Sequence, residues 1–378
     1  MIDYEKSSLA LISSILGHYG YNNHHPRLAV LDQYLKRRPK NVVLLILDGL
    51  GAEILRRHRP NGFLARHQIA TISAVFPPTT VAAINTLTSG LAPIEHGWLG
   101  WSLYFKEFER FIDIFPYNDS LTGEKIKLAP GNGKDLLAYE NVFSKIKAAT
   151  NDAVKRYVVH PEMIPQAGPD YEVLYGKNFE EEAIAIAQLT KIDEEKFIYA
   201  YFPEPDSSMH VLGTGSPEVG ETIASLENTI ENRLGNLKDT LVIISADHGL
   251  IDISEHIDIG SIPELFDCLK IPPSIEPRCT TFMVKEGMHA QFASAFKQRL
   301  GDDFRLLSKA EVRSEQIFGP GSEHPKVDDF LGDFLSIATG SKTIIYQGKV
   351  EKASFSFKAH HAGITADETN VPLILLLS

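Results

Sequence analysis

What most constrains this chain is a set of short apolar runs that never settle into the polar alternation of a half-exposed strand. They are NVVLLILD (41–48), QIATISAVF (68–76), KRYVVH (155–160), FIYAYFPE (197–204), DTLVIISAD (239–247), CTTFMV (279–284) and NVPLILLLS (370–378). Strands buried on both faces read this way, and they belong to parallel sheets with helices on each side. Between them, TTVAAINTLTSG (79–90), NFEEEAIAIAQLTK (178–191) and EVGETIASLENTIENRLGNL (218–237) carry their apolar residues at helical spacing. The first of these closes on Gly90, a residue suited to end a helix. The alternation predicts an α/β fold with a mostly parallel central sheet flanked by helices.

Two regions interrupt that rhythm. Residues 98–134 are aromatic and charged, then rich in Gly and Pro at LAPGNGK; residues 272–358 contain GPGSEHP and a predicted hairpin, KTIIYQGKVEKASFSF (342–357). Both are expected to be cap insertions into one domain spanning residues 1–378.

Charge narrows the partners. A net charge of −12 argues against a broad surface for nucleic-acid polymers or anionic membranes, so an anionic substrate would need local cations. Cys268 and Cys279 match no zinc-ribbon or disulfide framework and read as reduced core residues. The opening MIDYEKSSLALISSIL lacks a basic segment before its apolar stretch, and VVLLIL and VPLILLL are too short to span a bilayer. The expectation is a cytoplasmic protein with no membrane partner.

The chemistry gathers where strands end. LLILD ends in Asp48, YFPEPD in Asp206 and VIISAD in Asp247. In a parallel sheet these carboxyl ends form one rim, where ligands bind. One such acid is often a helix cap. Three on one rim repel each other unless a cation lies among them. His210 follows Asp206 by four residues, on one face if DSSMH is helical, and His248 follows Asp247 directly. His360 and His361 precede the last run. A mixed Asp and His set suits zinc, with manganese as a second choice, and the inventory is large enough for two divalent ions. Such pairs clamp the attacking and leaving oxygens of a displacement at phosphorus. The adjacent hydroxyls of Thr79 and Thr80, after a double proline and before a helix, then read as more than a cap: one is a nucleophile.

These residues resemble the alkaline-phosphatase superfamily, and within it the nucleotide pyrophosphatase/phosphodiesterase branch. The resemblance is carried by LLILDGLG, FPPTTVAAINTLTSGLAPIEHG, EPDSSMH, SADHGL and HHAGITADE, in order along most of the chain. It implies that Thr80, ten residues before Gly90, is the nucleophile, with Thr79 a neighbouring cap or spacer. It further implies one metal held by Asp48, Thr80, Asp247 and His248, and another held by Asp206, His210 and His361. The reaction implied is phosphodiester or nucleotide pyrophosphate hydrolysis through a phospho-threonine, with net retention at phosphorus. Phosphomonoester and phosphonate hydrolysis are sister activities of the same scaffold. A catalytically silent metal-binding protein is the alternative from another class, disfavoured by the complete ligand set. A sulfatase would need a Cys or Ser in a C/S-x-P-x-R context, which FPPTTV lacks.

The chain departs from the family pattern twice. An asparagine that contacts a phosphoryl oxygen would fall at Trp101, so the usual amide donor is missing. Trp101 is instead a candidate stacking surface for an aryl or nucleoside group, and Trp98 shares that choice between substrate and packing. The other departure is Ala362 in place of a glycine, expected to be tolerable at negative φ. The partner is expected to be a small phosphate ester or nucleotide. The oligomeric state stays open, a homodimer included.

Overall fold

The computed structural model describes residues 2–126, 133–164, 168–347 and 357–377. Among these the central sheet has seven strands, in the order Gln68–Ser73, Asn370–Leu377, Thr240–Ser245, Asn41–Leu47, Lys196–Phe202, Lys155–Pro161, Glu172–Gly176. Asn41–Leu47 lies at its middle, pairs in parallel with both neighbours and is buried along its whole length. The parallel run continues through Lys155–Pro161 to Glu172–Gly176. Asn370–Leu377 runs antiparallel to both of its neighbours. The expected mostly parallel sheet is what these runs form, because a strand buried on both faces gains most where helices cover each side.

Three details differ from the sequence reading. Gln68–Ser73, read as a buried strand, is a part-exposed edge strand in which only Ile72 is buried. Glu172–Gly176 joins the sheet as an edge strand, and its part-exposed, mixed residues gave no apolar run to detect. CTTFMV does not belong to the central sheet. Cys279–Phe282 sits in a second, antiparallel sheet ordered Phe304–Ser308, Phe334–Ala338, Cys279–Phe282, Ser274–Glu276, Ser102–Phe105, Arg110–Asp113, Asn118–Asp119. Phe282 packs with Phe292 and Phe296 of the helix His289–Leu300, while Cys279 packs with Leu103 and Phe330 in a separate cluster. Burial on both faces makes such a strand look parallel when it is not.

The second sheet draws on both interrupting regions of the sequence, joined by the single pairing Ile275↔Ser102. Lys342–Ile345 pairs in parallel with Glu255–Asp258, and the predicted hairpin's remainder at 348–356 lies outside the described residues, as does 127–132 of the first interrupting region. Cys268 and Cys279 are buried free thiols. No helix among the described residues is long and apolar enough to cross a membrane.

Three adjacent central strands, Thr240–Ser245, Asn41–Leu47 and Lys196–Phe202, end together, and this builds the site. The backbone N–H of Asp48 donates to the Phe202 carbonyl at 2.9 Å and that of Asp206 to the Asp48 carbonyl at 3.0 Å, so the loops leaving the sheet are laced side by side.

Candidate active site

Asp48 and Asp247 each divide their carboxylate between structure and an inner face. Asp247 Oδ1 accepts the backbone N–H groups of Gly49 (3.1 Å) and His248 (3.0 Å). Asp48 Oδ2 accepts the Tyr201 hydroxyl in a short bond and lies 3.4 Å from Thr80 Oγ1. The other oxygens, Asp48 Oδ1 and Asp247 Oδ2, are buried with no hydrogen-bond partner among the described residues, and so is Asp206 Oδ1. Each faces an imidazole. His248 Nε2 is 3.4 Å from both Asp48 Oδ1 and Asp247 Oδ2, and His210 Nε2 is 3.3 Å from Asp206 Oδ1.

The opposite ring nitrogens decide what those distances mean. His210 Nδ1 lies 2.8 Å from the Ala359 carbonyl and His248 Nδ1 lies 3.1 Å from that of Gly249. A carbonyl only accepts, so the proton of a neutral ring sits on Nδ1 and the Nε2 lone pair points at carboxylate oxygen. Lone pair against lone pair is repulsive without a positive charge between them. A charge-assisted N–H···O bond would close to about 2.7–2.9 Å. A tetrahedral ion with ligands at about 2.0–2.1 Å sets adjacent ligand atoms about 3.3 Å apart, so the donor set fits a cation better than a proton.

With no ion between them, the three carboxyls settle differently. Burial, and then the charges of Asp247 and Asp206, push the Asp48 carboxyl well above its ordinary range. Burial likewise raises Asp247. Burial would raise Asp206 too, but the paired His210 outweighs it and holds Asp206 below the usual value. Three aspartates this close cannot all ionise cheaply in a dry rim.

Seven predicted residues converge here. Asp206, His210 and His361 have ligand atoms within 4.8 Å of one another, as do Asp48, Asp206 and His248, so Asp206 is common to both groups. The helix Asp206–Leu212 puts Asp206 and His210 on one face. His361 stacks on His248 with ring centroids 3.9 Å apart. His360 is in neither group, and its Nδ1 accepts the backbone N–H of His361 at 3.0 Å. Thr80 opens the helix Thr80–Ser89, and its Oγ1 lies 3.1 Å from His248 Nε2. Oxygen and imidazole donors in this mixture suit zinc or manganese.

The flanking residues bring corrections. Thr79 occupies the cap position of that helix but makes no capping bond; its hydroxyl donates to Glu276 Oε1 at 2.7 Å. Trp98 is buried, and its indole N–H donates to the Leu137 carbonyl at 3.0 Å, so it is a packing residue. Trp101 is 41% exposed and meets Phe115 edge to face at 5.7 Å. Ala362 would sit without strain at negative φ, but its φ is +87°. An alanine in that region carries strain of about 1–2 kcal/mol that a glycine would not. Glu276 was missed altogether. It is one acid among many in the second interrupting region, with no motif around it.

A mostly parallel sheet whose C-terminal rim gathers this constellation defines an alkaline-phosphatase type of α/β fold. The chain belongs to the type I phosphodiesterase/nucleotide pyrophosphatase family, whose model matches residues 42–268. Murine ectonucleotide pyrophosphatase/phosphodiesterase 5 superposes with a TM-score of 0.63 at 16% identity, over 88% of this chain and 87% of that one. An inactive threonine-to-alanine variant of the murine protein, in complex with AMP, gives 0.62 at 16% identity with the same coverage of 88% and 87%. The human protein gives 0.63 at 17% identity, again over 88% and 87%. At such identities the likeness speaks for the fold. No curated protein sequence matches the chain.

Proposed function

We propose that this protein hydrolyses phosphodiesters or nucleotide pyrophosphates by way of a phospho-threonine on Thr80. The observation that carries the reading is the placement of Thr80 Oγ1, 3.1 Å from His248 Nε2 and 3.4 Å from Asp48 Oδ2 at the start of a helix. Its hydroxyl proton therefore has acceptors in place, and the first backbone N–H groups of the helix suit a phosphoryl oxygen.

Asp48, Asp247 and His248 would hold one divalent ion with Thr80, and Asp206, His210 and His361 a second; zinc is favoured and manganese is the alternative. Bound there, such ions supply Lewis-acid charge for the attacking and leaving oxygens. Thr80 Oγ attacks phosphorus in line, the P–O bond to the leaving alcohol or phosphate breaks, and water later cleaves the Thr80–phosphate bond. Two displacements leave configuration at phosphorus retained. The AMP complex of the murine neighbour supports a nucleotide-sized substrate, and the inactivity of its threonine variant supports a threonine nucleophile. Trp101, with Phe115 against it, offers a face for the aryl or nucleoside group.

Activity of the zinc-loaded protein toward aryl phosphodiester, phosphomonoester and phosphonate substrates, measured side by side, tests this reading. The diester or pyrophosphate is expected to have the highest kcat/KM, and Trp101→Ala is expected to lower it mainly through KM. A clear preference for the monoester or the phosphonate sinks the diester assignment.

A further inference from the structure

The strand Ser274–Glu276 belongs to the second sheet, yet its last side chain reaches the residue beside Thr80. Glu276 is 5% exposed and Thr79 1%. Glu276 Oε1 accepts the Thr79 hydroxyl at 2.7 Å and the Trp101 backbone N–H at 2.8 Å. It thus ties together the helix start and the loop where the family pattern implies an amide donor. Two donors on one oxygen favour the carboxylate form. Burial raises Glu276 to about 7 against the Thr79 and Trp101 bonds, which lower it. Because Thr79 directly precedes Thr80, the carboxylate stands beside the residue read as receiving the phosphoryl group.

We propose that Glu276 is a specificity-determining residue that sets the charge class of the substrate, favouring phosphodiester monoanions over phosphomonoester dianions. The proposal rests on the reading of Thr80 as nucleophile. A monoester above its second ionisation, near pH 6, brings one more negative charge than a diester to the same place. Cations at the rim attract both substrates. A fixed carboxylate beside Thr79, in a buried setting of low dielectric, repels the dianion more. A glutamine amide at this position would carry no such charge.

Glu276→Gln separates charge from geometry, because its amide oxygen can still accept from Thr79 and Trp101. The experiment measures kcat/KM at pH 8 for an aryl phosphodiester and the matching monoester on the zinc-loaded parent, Glu276→Gln and Thr79→Ala. Glu276→Gln is expected to raise the monoester-to-diester ratio by about tenfold or more. Thr79→Ala removes one bond but keeps the charge, and should leave the ratio within about twofold. An unchanged ratio in Glu276→Gln, or an equal shift in Thr79→Ala, overturns the proposal. If Glu276→Gln is recovered unfolded, Glu276→Ala reads the same ratio. Calorimetric binding of inorganic phosphate, with Thr80→Ala as the background, gives a readout without turnover: adding Glu276→Gln should tighten it about tenfold, and unaltered binding counts against the charge role. Turnover that survives Thr80→Ala overturns the nucleophile instead, whatever the ratio does.

Discussion

At the sheet rim His210 and His248 hold Nε2 at 3.3 and 3.4 Å from aspartate oxygens that have no other partner, whereas His24 and His25 bring theirs to 2.7 and 2.6 Å of Glu95. Both places contain three ligand atoms within 4.8 Å of one another, so proximity alone does not separate them. The difference lies in what each atom already has. Glu95 Oε1 accepts from His24, and Oε2 accepts from His25 and from the Ala92 backbone N–H at 2.8 Å. Burial would raise the Glu95 carboxyl, but the His25, Ala92 and His24 bonds outweigh it and hold it below the ordinary value. That cluster is complete with protons. At the rim the ring protons of His210 and His248 go to backbone carbonyls, so the inner aspartate oxygens face lone pairs and are open to a cation.

The contrast between the two clusters is open to four measurements. The largest effect belongs to the rim: a chelator should abolish turnover, zinc or manganese should restore it, and Thr80→Ala should abolish turnover with its metal content retained. Thr79→Ala should be much milder. Full activity in chelator, together with an elemental analysis showing no transition metal, ends the metal reading.

Next in size, His210→Ala and Asp247→Asn should each weaken one ion at the rim by about tenfold or more, and a different one in each case. Metal stoichiometry by elemental analysis after gel filtration checks this. Equal losses of both ions in both variants would mean that the two groups sharing Asp206 act as a single site.

A smaller effect is expected at the other cluster. His25→Ala should cost about 1–3 kcal/mol by leaving a buried Glu95 oxygen short of a donor, with metal content unaltered. Because the folded Glu95 carboxyl is held below its unfolded value of about 4.3, its stabilisation is complete above that pH. It is lost as pH falls through the depressed native value. Glu95→Gln should therefore lower Tm at pH 7 and converge with the parent in acid. A fall in bound metal on changing His25 or Glu95 would erase the distinction between the clusters.

The smallest effect is His24→Ala, since the His24 side chain is 58% exposed and such a pair contributes about 0–1 kcal/mol. Urea titration of the parent and the variant measures it. A loss as large as that of His25→Ala would show that both histidines are equally integral to the cluster.

Much of this protein is written locally. Apolar runs without alternation mark Asn41–Leu47 and its neighbours as buried strands, the acids after them fall on one rim, and the spacing of Asp206 and His210 puts both on one helical face. These follow from backbone periodicity, which depends on residues a few positions apart. Only the tertiary structure decided that Cys279–Phe282 joins an antiparallel sheet, that Glu276 reaches Thr79 across 197 positions, and that Ala362 lies at φ +87°. The same holds for the two histidine clusters. Their residue types are alike, and what distinguishes them is a gap of under an ångström and the partners already taken by each oxygen. Such distances are set by how loops remote in sequence pack at a sheet edge, and no local pattern of residues encodes them.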